Sequence, residues 1–110
     1  MALALPAPVA AYLAADAAQD QGAAQLARCF TPDAHVHDED HDYRGRDAIT
    51  AWKVASREKY QYTVAPLSIA TTDATATLHA RLSGNFPGSP VEVDYHFTFA
   101  DGLIAMLEIR

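Results

Sequence analysis

The sequence predicts an α+β fold, in which three N-terminal helices pack on one side of a strongly curved antiparallel or mixed sheet. Two observations carry this prediction. Apolar residues recur at helical spacing over much of the first 60 residues, and from residue 62 onward they alternate with polar residues, as in half-buried strands. With 110 residues, the chain is expected to form a single domain, residues 1–110, around one core.

Three helices are predicted in the first half. The first covers residues 8–19, with Tyr12 on its apolar face, and the segment 20–22 ends it. A short second helix covers residues 23–30 and ends before Pro32, because proline disfavours a helical residue in front of it. The third covers residues 46–60, with Trp52 on the apolar stripe and Lys53 away from it.

The strands follow from apolar–polar alternation. Residues 34–38 are predicted as a strand with Val36 and Asp38 facing inward and His35 and His37 facing outward, and residues 40–42 as a solvated turn. Further strands are predicted at residues 62–71, 74–86, 91–99 and 103–109. The last strand is apolar on both faces, which indicates a central strand or a subunit interface.

The hairpin between the predicted strands 74–86 and 91–99 has a predicted register. A four-residue loop at 87–90 pairs Phe86 with Val91, Leu82 with Tyr95, Ala80 with Phe97, Leu78 with Phe99, and Arg81 with His96. In this register every inward apolar residue meets another. Gly84 would lie opposite Val93, where a glycine suggests a bend or bulge in the sheet.

Charge and cysteine content exclude several classes of protein. A net charge of −6 argues against nucleic-acid binding, and the lack of a basic amphipathic stretch argues against an anionic membrane surface. The single Cys29 excludes an internal disulfide and suits a reducing compartment. The N-terminal apolar run has no preceding basic residue and is broken by Pro6 and Pro8. We therefore expect a cytoplasmic protein.

Four stretches carry a resemblance to a known group of proteins. They are Phe-Thr-Pro-Asp-Ala-His-Val-His-Asp at 30–38, Tyr-Arg-Gly-Arg-Asp-Ala-Ile at 43–49, Gly-Asn-Phe-Pro-Gly-Ser-Pro-Val at 84–91 and Tyr-His-Phe-Thr-Phe at 95–99. With the order of elements, they resemble the nuclear transport factor 2-like superfamily, which includes ketosteroid isomerases and SnoaL-like polyketide cyclases. The resemblance implies a cone-shaped, cystatin-like roll, usually homodimeric, with a pocket inside the cone.

The resemblance also implies site residues. In the ketosteroid isomerases an aspartate after the Asp-Ala-x-Val strand is the general base, and Asp38 stands at that position. A tyrosine on the first helix donates to the oxyanion, and Tyr12 matches it in context. Their second donor, a protonated aspartic acid, precedes a His-Phe pair; here Tyr95 precedes His96-Phe97, and its hydroxyl can donate as well.

The candidate catalytic residues are therefore Asp38, Tyr12, Tyr95 and His96, the last as a rival acid–base group if sheet curvature turns it inward. The candidate pocket residues are Val36, Trp52, Tyr62 and Phe97. Their apolar character predicts a hydrophobic small molecule as ligand and no cofactor. The hypothesis is a cofactor-free isomerase, cyclase or dehydratase.

Other interpretations remain open at this point. The fold could be a non-catalytic, homodimeric ligand-binding module, with Asp38 as an exposed strand end and the two tyrosines as core residues. The dense stretch from His35 to Asp42 could bind a metal through His35, His37 and His41, but no distant further ligand is evident, so no metal is predicted. Cys29 is expected to be structural.

Overall fold

The computed structural model describes residues 4–18 and 22–110, with side chains for 4–18 and 24–110. Gln19, Asp20 and Gln21, to which we assigned the end of the first helix and most of the break after it, lie outside the described residues. The elements, in chain order, are α1 (Ala7–Ala17), α2 (Gly22–Arg28), β1 (Phe30–Asp38), β2 (His41–Arg44), α3 (Arg46–Lys59), β3 (Tyr62–Thr71), β4 (Thr75–Gly84), β5 (Val91–Ala100) and β6 (Leu103–Ile109). The α+β prediction is confirmed.

The six strands form one mixed sheet in the order β2-β1-β6-β5-β4-β3, in which β1 is parallel to β6 and all other neighbours are antiparallel. The strand β6 lies in the middle, which is the first of the two alternatives that its apolar faces indicated. Buried side chains from α1, α2 and α3 pack against the inner face of the sheet and form one core with Val36, Leu78 and Phe97. No helix in the described ranges is long and apolar enough to cross a membrane.

The start of α3 is hydrogen-bonded to β1, and these bonds fix the position of the helix relative to the end of that strand. Gly45 precedes the helix with φ of 85°, a backbone conformation that residues other than glycine rarely adopt. Its amide donates to the Ala34 carbonyl at 2.8 Å. The Arg46 guanidinium donates to the Phe30 carbonyl from Nε at 3.0 Å and Nη2 at 2.8 Å. One consequence is that Trp52, two turns along α3, is held beside the end of β1.

Two local predictions around β1 were wrong. The second helix ends at Arg28 and not at Thr31-Pro32-Asp33, which belongs to β1. Residues 41 and 42 are not a solvated turn. The chain turns at Glu39 and Asp40, with φ of 52° and 63°, and returns as β2, where Asp42 pairs with His37. Two positive φ values fit a type I′ hairpin turn, but the turn lacks the Asn-Gly or Asp-Gly signal.

The predicted register of the β4–β5 hairpin was also wrong. The structure pairs Leu82 with Val91, Ala80 with Val93, Leu78 with Tyr95, Ala76 with Phe97, Arg81 with Glu92 and Thr77 with His96. Relative to the prediction, the partner of each β4 residue is displaced by four positions along β5. An even displacement leaves every side chain on its predicted face, so the alternation of apolar residues cannot distinguish the two registers.

Gly84 is explained by a close approach of two strands. It pairs with Tyr62 of β3 instead of opposing Val93. A Cβ atom at this position would overlap the Gln61 carbonyl oxygen and lie 2.9 Å from the Tyr62 Cα. Because these neighbours are backbone atoms, they cannot move aside cheaply, and glycine is required here.

Replacing Gly84 with alanine should therefore lower the free energy of unfolding by about 1–3 kcal/mol, the usual range for overpacking. Urea denaturation measures this change in the free energy of unfolding. Gly102→Ala is the matched control, because Gly102 has φ of +76° but no atom lies within 4 Å of the position that an added methyl group would take. That variant should be destabilised only by the strain of an alanine in the left-handed region, about 1–2 kcal/mol. An unfolding free energy for Gly84→Ala equal to wild type would contradict the steric explanation.

Candidate functional site

A cavity of about 1060 Å³ opens between α3 and the β1–β2 turn on one side and the ends of β4, β5 and β6 on the other. Its apolar wall includes Leu82, Phe86, Val91, Val93 and Ile109. Its polar side chains come from the end of β1, from α3, and from β3 and β5. The volume suits a drug-sized organic molecule.

Asp38 stands in the wall of this cavity at the end of β1, where it is partly buried. The Trp52 Nε1 donates a hydrogen bond to Asp38 Oδ2 at 3.0 Å. Burial raises the pKa of the Asp38 carboxyl above its ordinary value, and the indole hydrogen bond opposes part of that rise. Asp38 is therefore a carboxylate that is oriented by a neighbour and binds a proton more readily than a solvated aspartate does.

The other polar side of the cavity is a buried cluster that our sequence interpretation missed. The Lys53 Nζ lies 2.8 Å from Asp16 Oδ1 and donates to the Tyr62 hydroxyl oxygen at 3.0 Å. The Tyr62 hydroxyl donates to the same Asp16 oxygen at 3.0 Å. Lys53 is 3% exposed and Asp16 is 4% exposed, so the prediction that Lys53 lies off the buried stripe was wrong.

One signal in the sequence could have indicated this cluster. Asp16 follows Tyr12 by four residues, so the two share a face of α1, which is otherwise mostly alanine. An acidic residue on a buried helical face needs a cationic partner. The structure shows that Lys53, next to Trp52, is this partner.

The two candidate oxyanion donors, Tyr12 and Tyr95, pack against each other at the wall of the cavity. Tyr12 is 1% and Tyr95 is 3% exposed, and their rings meet edge to face with centroids 6.1 Å apart. Tyr95 lines the cavity and Tyr12 does not. Burial raises the pKa of both hydroxyls, and the negative charge of Asp16 adds to the rise in each. Both hydroxyls therefore stay protonated at neutral pH and can donate.

The remaining predicted site residues divide between the core and the outer face. Trp52 and Tyr62 line the cavity, but Val36 and Phe97 are buried in the core behind it. His96 lies on the outer face of the sheet, where its Nδ1 is 3.2 Å from the Thr77 Oγ1. The sheet curvature does not turn His96 inward, which corrects the expectation that it could compete with Asp38.

The histidines of the dense stretch bind acceptors within the β1–β2 hairpin. His35 Nε2 and His37 Nδ1 lie 2.6 Å and 2.9 Å from the same oxygen, Asp42 Oδ1. The His41 Nδ1 is 2.8 Å from the Glu39 carbonyl oxygen. These bonds raise the pKa of His37 and lower that of Asp42. Within residues 4–18 and 22–110, no three His, Cys, Asp or Glu side chains form a group suited to a metal ion.

The family follows from comparison with known proteins. The sequence model of the SnoaL-like domain matches residues 9–107. The chain belongs to the SnoaL-like domain family. The predicted membership of the nuclear transport factor 2-like superfamily is thereby confirmed. No curated protein matches the chain.

Solved structures support the same fold. A protein from Sinorhizobium meliloti, described as a proposed polyketide cyclase, is 42% identical, with 96% of this chain and 95% of that chain covered and a TM-score of 0.91. A protein from Catenulispora acidiphila with a ketosteroid isomerase-like fold, solved in complex with trimethylamine, is 19% identical over 97% of this chain and 86% of that chain, with a TM-score of 0.84. At that identity the likeness shows the fold alone.

Proposed function

We propose that this SnoaL-like protein is a cofactor-free enzyme of the isomerase, cyclase or dehydratase type, which removes a proton from a carbon next to a carbonyl group. One observation carries the proposal: a partly buried carboxylate, Asp38, faces a large cavity that Tyr95 also lines. A general base needs a pKa closer to neutral than that of a solvated aspartate, and burial supplies that shift.

The proposed step uses groups on two sides of the ligand. Asp38 takes the proton, and the electrons of the broken C–H bond move to the carbonyl oxygen to give an enolate. Tyr95, in the cavity wall, stabilises that oxygen by donating from its hydroxyl. Tyr12, the other predicted donor, does not line the cavity and packs against the Tyr95 ring. Trp52 is a positioning residue, because its indole N–H fixes the Asp38 carboxylate.

The apolar wall supports a hydrophobic small molecule as the ligand. A polyketide-like carbonyl compound would fit this description, and the 42% identical relative described as a proposed cyclase points the same way. The enolate could regain its proton at another carbon, attack a second carbonyl, or expel a leaving group. The homodimer and the cytoplasmic location remain part of this proposal.

The proposal is tested by hydrogen–deuterium exchange of aryl ketones in D₂O, followed by NMR as a function of pH. Exchange should rise with pH through the raised pKa of Asp38, because only the ionised carboxylate accepts the proton. Trp52→Phe removes the hydrogen bond that lowers this pKa. The rising limb of the profile should therefore move to higher pH in that variant.

A rising limb that stays at the same pH in Trp52→Phe would contradict the role given to the indole. Binding of ketones in the cavity without any catalysed exchange would contradict the enzymatic function. The non-catalytic binding module would then be the function. Circular dichroism of each variant serves as the check on folding.

A further inference from the structure

The cluster beside the cavity holds more positive charge than its carboxylate neutralises. Asp16 Oδ1 accepts from Lys53 at 2.8 Å, and the Arg57 Nη2 lies 3.5 Å from the same oxygen. Two cations thus share the Asp16 carboxylate. Arg57 is 29% exposed and keeps its contact with water, whereas Lys53 is 4% exposed, so Lys53 is the buried cation with which a negative group in the cavity could pair.

The lysine has one hydrogen left for such a group. An ammonium has three N–H donors, and two of those of Lys53 bond to Asp16 and to Tyr62. Among the side chains of residues 4–18 and 24–110, no third hydrogen-bond acceptor reaches its Nζ. The Trp52 ring covers one side, with its centroid 4.3 Å from Nζ, and the cavity lies on another, since Lys53 lines it.

Trp52 connects this cation to the candidate base. The edge of its indole donates to Asp38, and the face of the same ring lies against the Lys53 ammonium. A ligand in the cavity therefore meets a carboxylate and an ammonium at two neighbouring points. The carboxylate can accept a proton from an acidic C–H bond, and the ammonium can bind an anionic oxygen.

We propose that Lys53 is a specificity-determining residue that binds an anionic oxygen of the ligand, so that the substrate class is an apolar carbonyl compound bearing a carboxylate or an acidic enol. As a statement about the substrate, this rests on the proposed function. As a statement about binding, it can be measured without any turnover.

The experiment compares 3-phenylpropanoate with 3-phenylpropan-1-ol, which have the same apolar body and differ in charge. Isothermal titration calorimetry at pH 7 gives both affinities, and the fluorescence of Trp52, the only tryptophan in the sequence, reports binding at this position. Wild type should bind 3-phenylpropanoate at least about tenfold more tightly than the alcohol, because a charge-assisted hydrogen bond contributes that much binding free energy. Lys53→Gln should lose most of that preference.

Lys59→Gln is the matched control, because Lys59 is an exposed lysine of the same helix that lines the same cavity. It should keep the preference. Lys53→Gln leaves Asp16 with Arg57 as its cationic partner, which weakens the fold, so the double variant Asp16→Asn/Lys53→Gln, which removes both charges, is measured beside it. Equal binding of the two probes by wild type, or a preference retained in the Lys53 variants, overturns the proposal.

Asp38→Asn separates this inference from the proposed function. It should retain or strengthen the preference for the carboxylate, because a negative charge near Lys53 is removed. If Asp38→Asn still catalyses exchange while Lys53→Gln loses the preference, the base assignment fails and the anion site stands. If Asp38→Asn abolishes exchange while Lys53→Gln keeps the preference, the anion site fails alone.

Discussion

Replacing Lys53 with methionine should lower the free energy of unfolding by about 3–5 kcal/mol, the loss expected when one partner of a buried ion pair is removed. The side chains of Lys53 and Asp16 are 4% and 5% exposed. Methionine preserves most of the apolar stem of the lysine, so the loss comes mainly from the charge left on Asp16. Arg57, at 3.5 Å and 29% exposed, compensates only in part. Urea denaturation at pH 7 measures the change.

Two further variants isolate the ion pair. Asp16→Asn/Lys53→Met removes both charges and should be more stable than the single variant, because asparagine can still accept from the Tyr62 hydroxyl. Lys59→Met changes an exposed lysine on the same helix and should stay within about 0.5 kcal/mol of wild type. A Lys53→Met protein as stable as Lys59→Met would show that the cluster does not stabilise the fold.

The sequence predicted those features that depend on local periodicity. Alternation predicted the face of Asp38, and helical spacing predicted the buried side of Trp52. The two apolar faces of β6 indicated a central strand or a subunit interface, and the strand is central. It failed where two answers share a periodicity. The β4–β5 register differs from the predicted one by an even number of residues, so both keep the apolar residues on the inner face.

The candidate site depends on contacts between distant elements, and these were only partly predictable. Pattern analysis assigns a charged residue on a helix to solvent, but Lys53 of α3 is buried because it meets Asp16 of α1 and Tyr62 of β3. Alternation also gives the face of a strand residue but not its depth. Phe97 has the predicted face, yet it packs between Tyr95 and Phe99 in the core and does not line the cavity.

Replacing Asp38 with asparagine should reduce turnover on the true substrate by about 10²–10⁴-fold, the usual contribution of general acid–base catalysis. Stability should not fall. The pKa of Asp38 in the folded protein lies above its ordinary value of 3.8, so the folded state holds this proton more tightly than the unfolded state does. The free energy of unfolding therefore decreases as pH rises from 3.8 through the raised pKa, and at pH 7 the ionised carboxylate destabilises the fold. Asparagine still accepts from Trp52 without that charge.

Asp40→Asn is the matched control for this substitution. Asp40 also lines the cavity but is exposed, and asparagine tolerates its φ of 63° well. Turnover in this variant should stay within about threefold of wild type, since a solvated carboxylate contributes little to proton transfer. Rates from steady-state kinetics and unfolding free energies from urea are compared for both variants. If Asp38→Asn loses activity and stability together, Asp38 is a structural residue. If it keeps its activity, another group is the base.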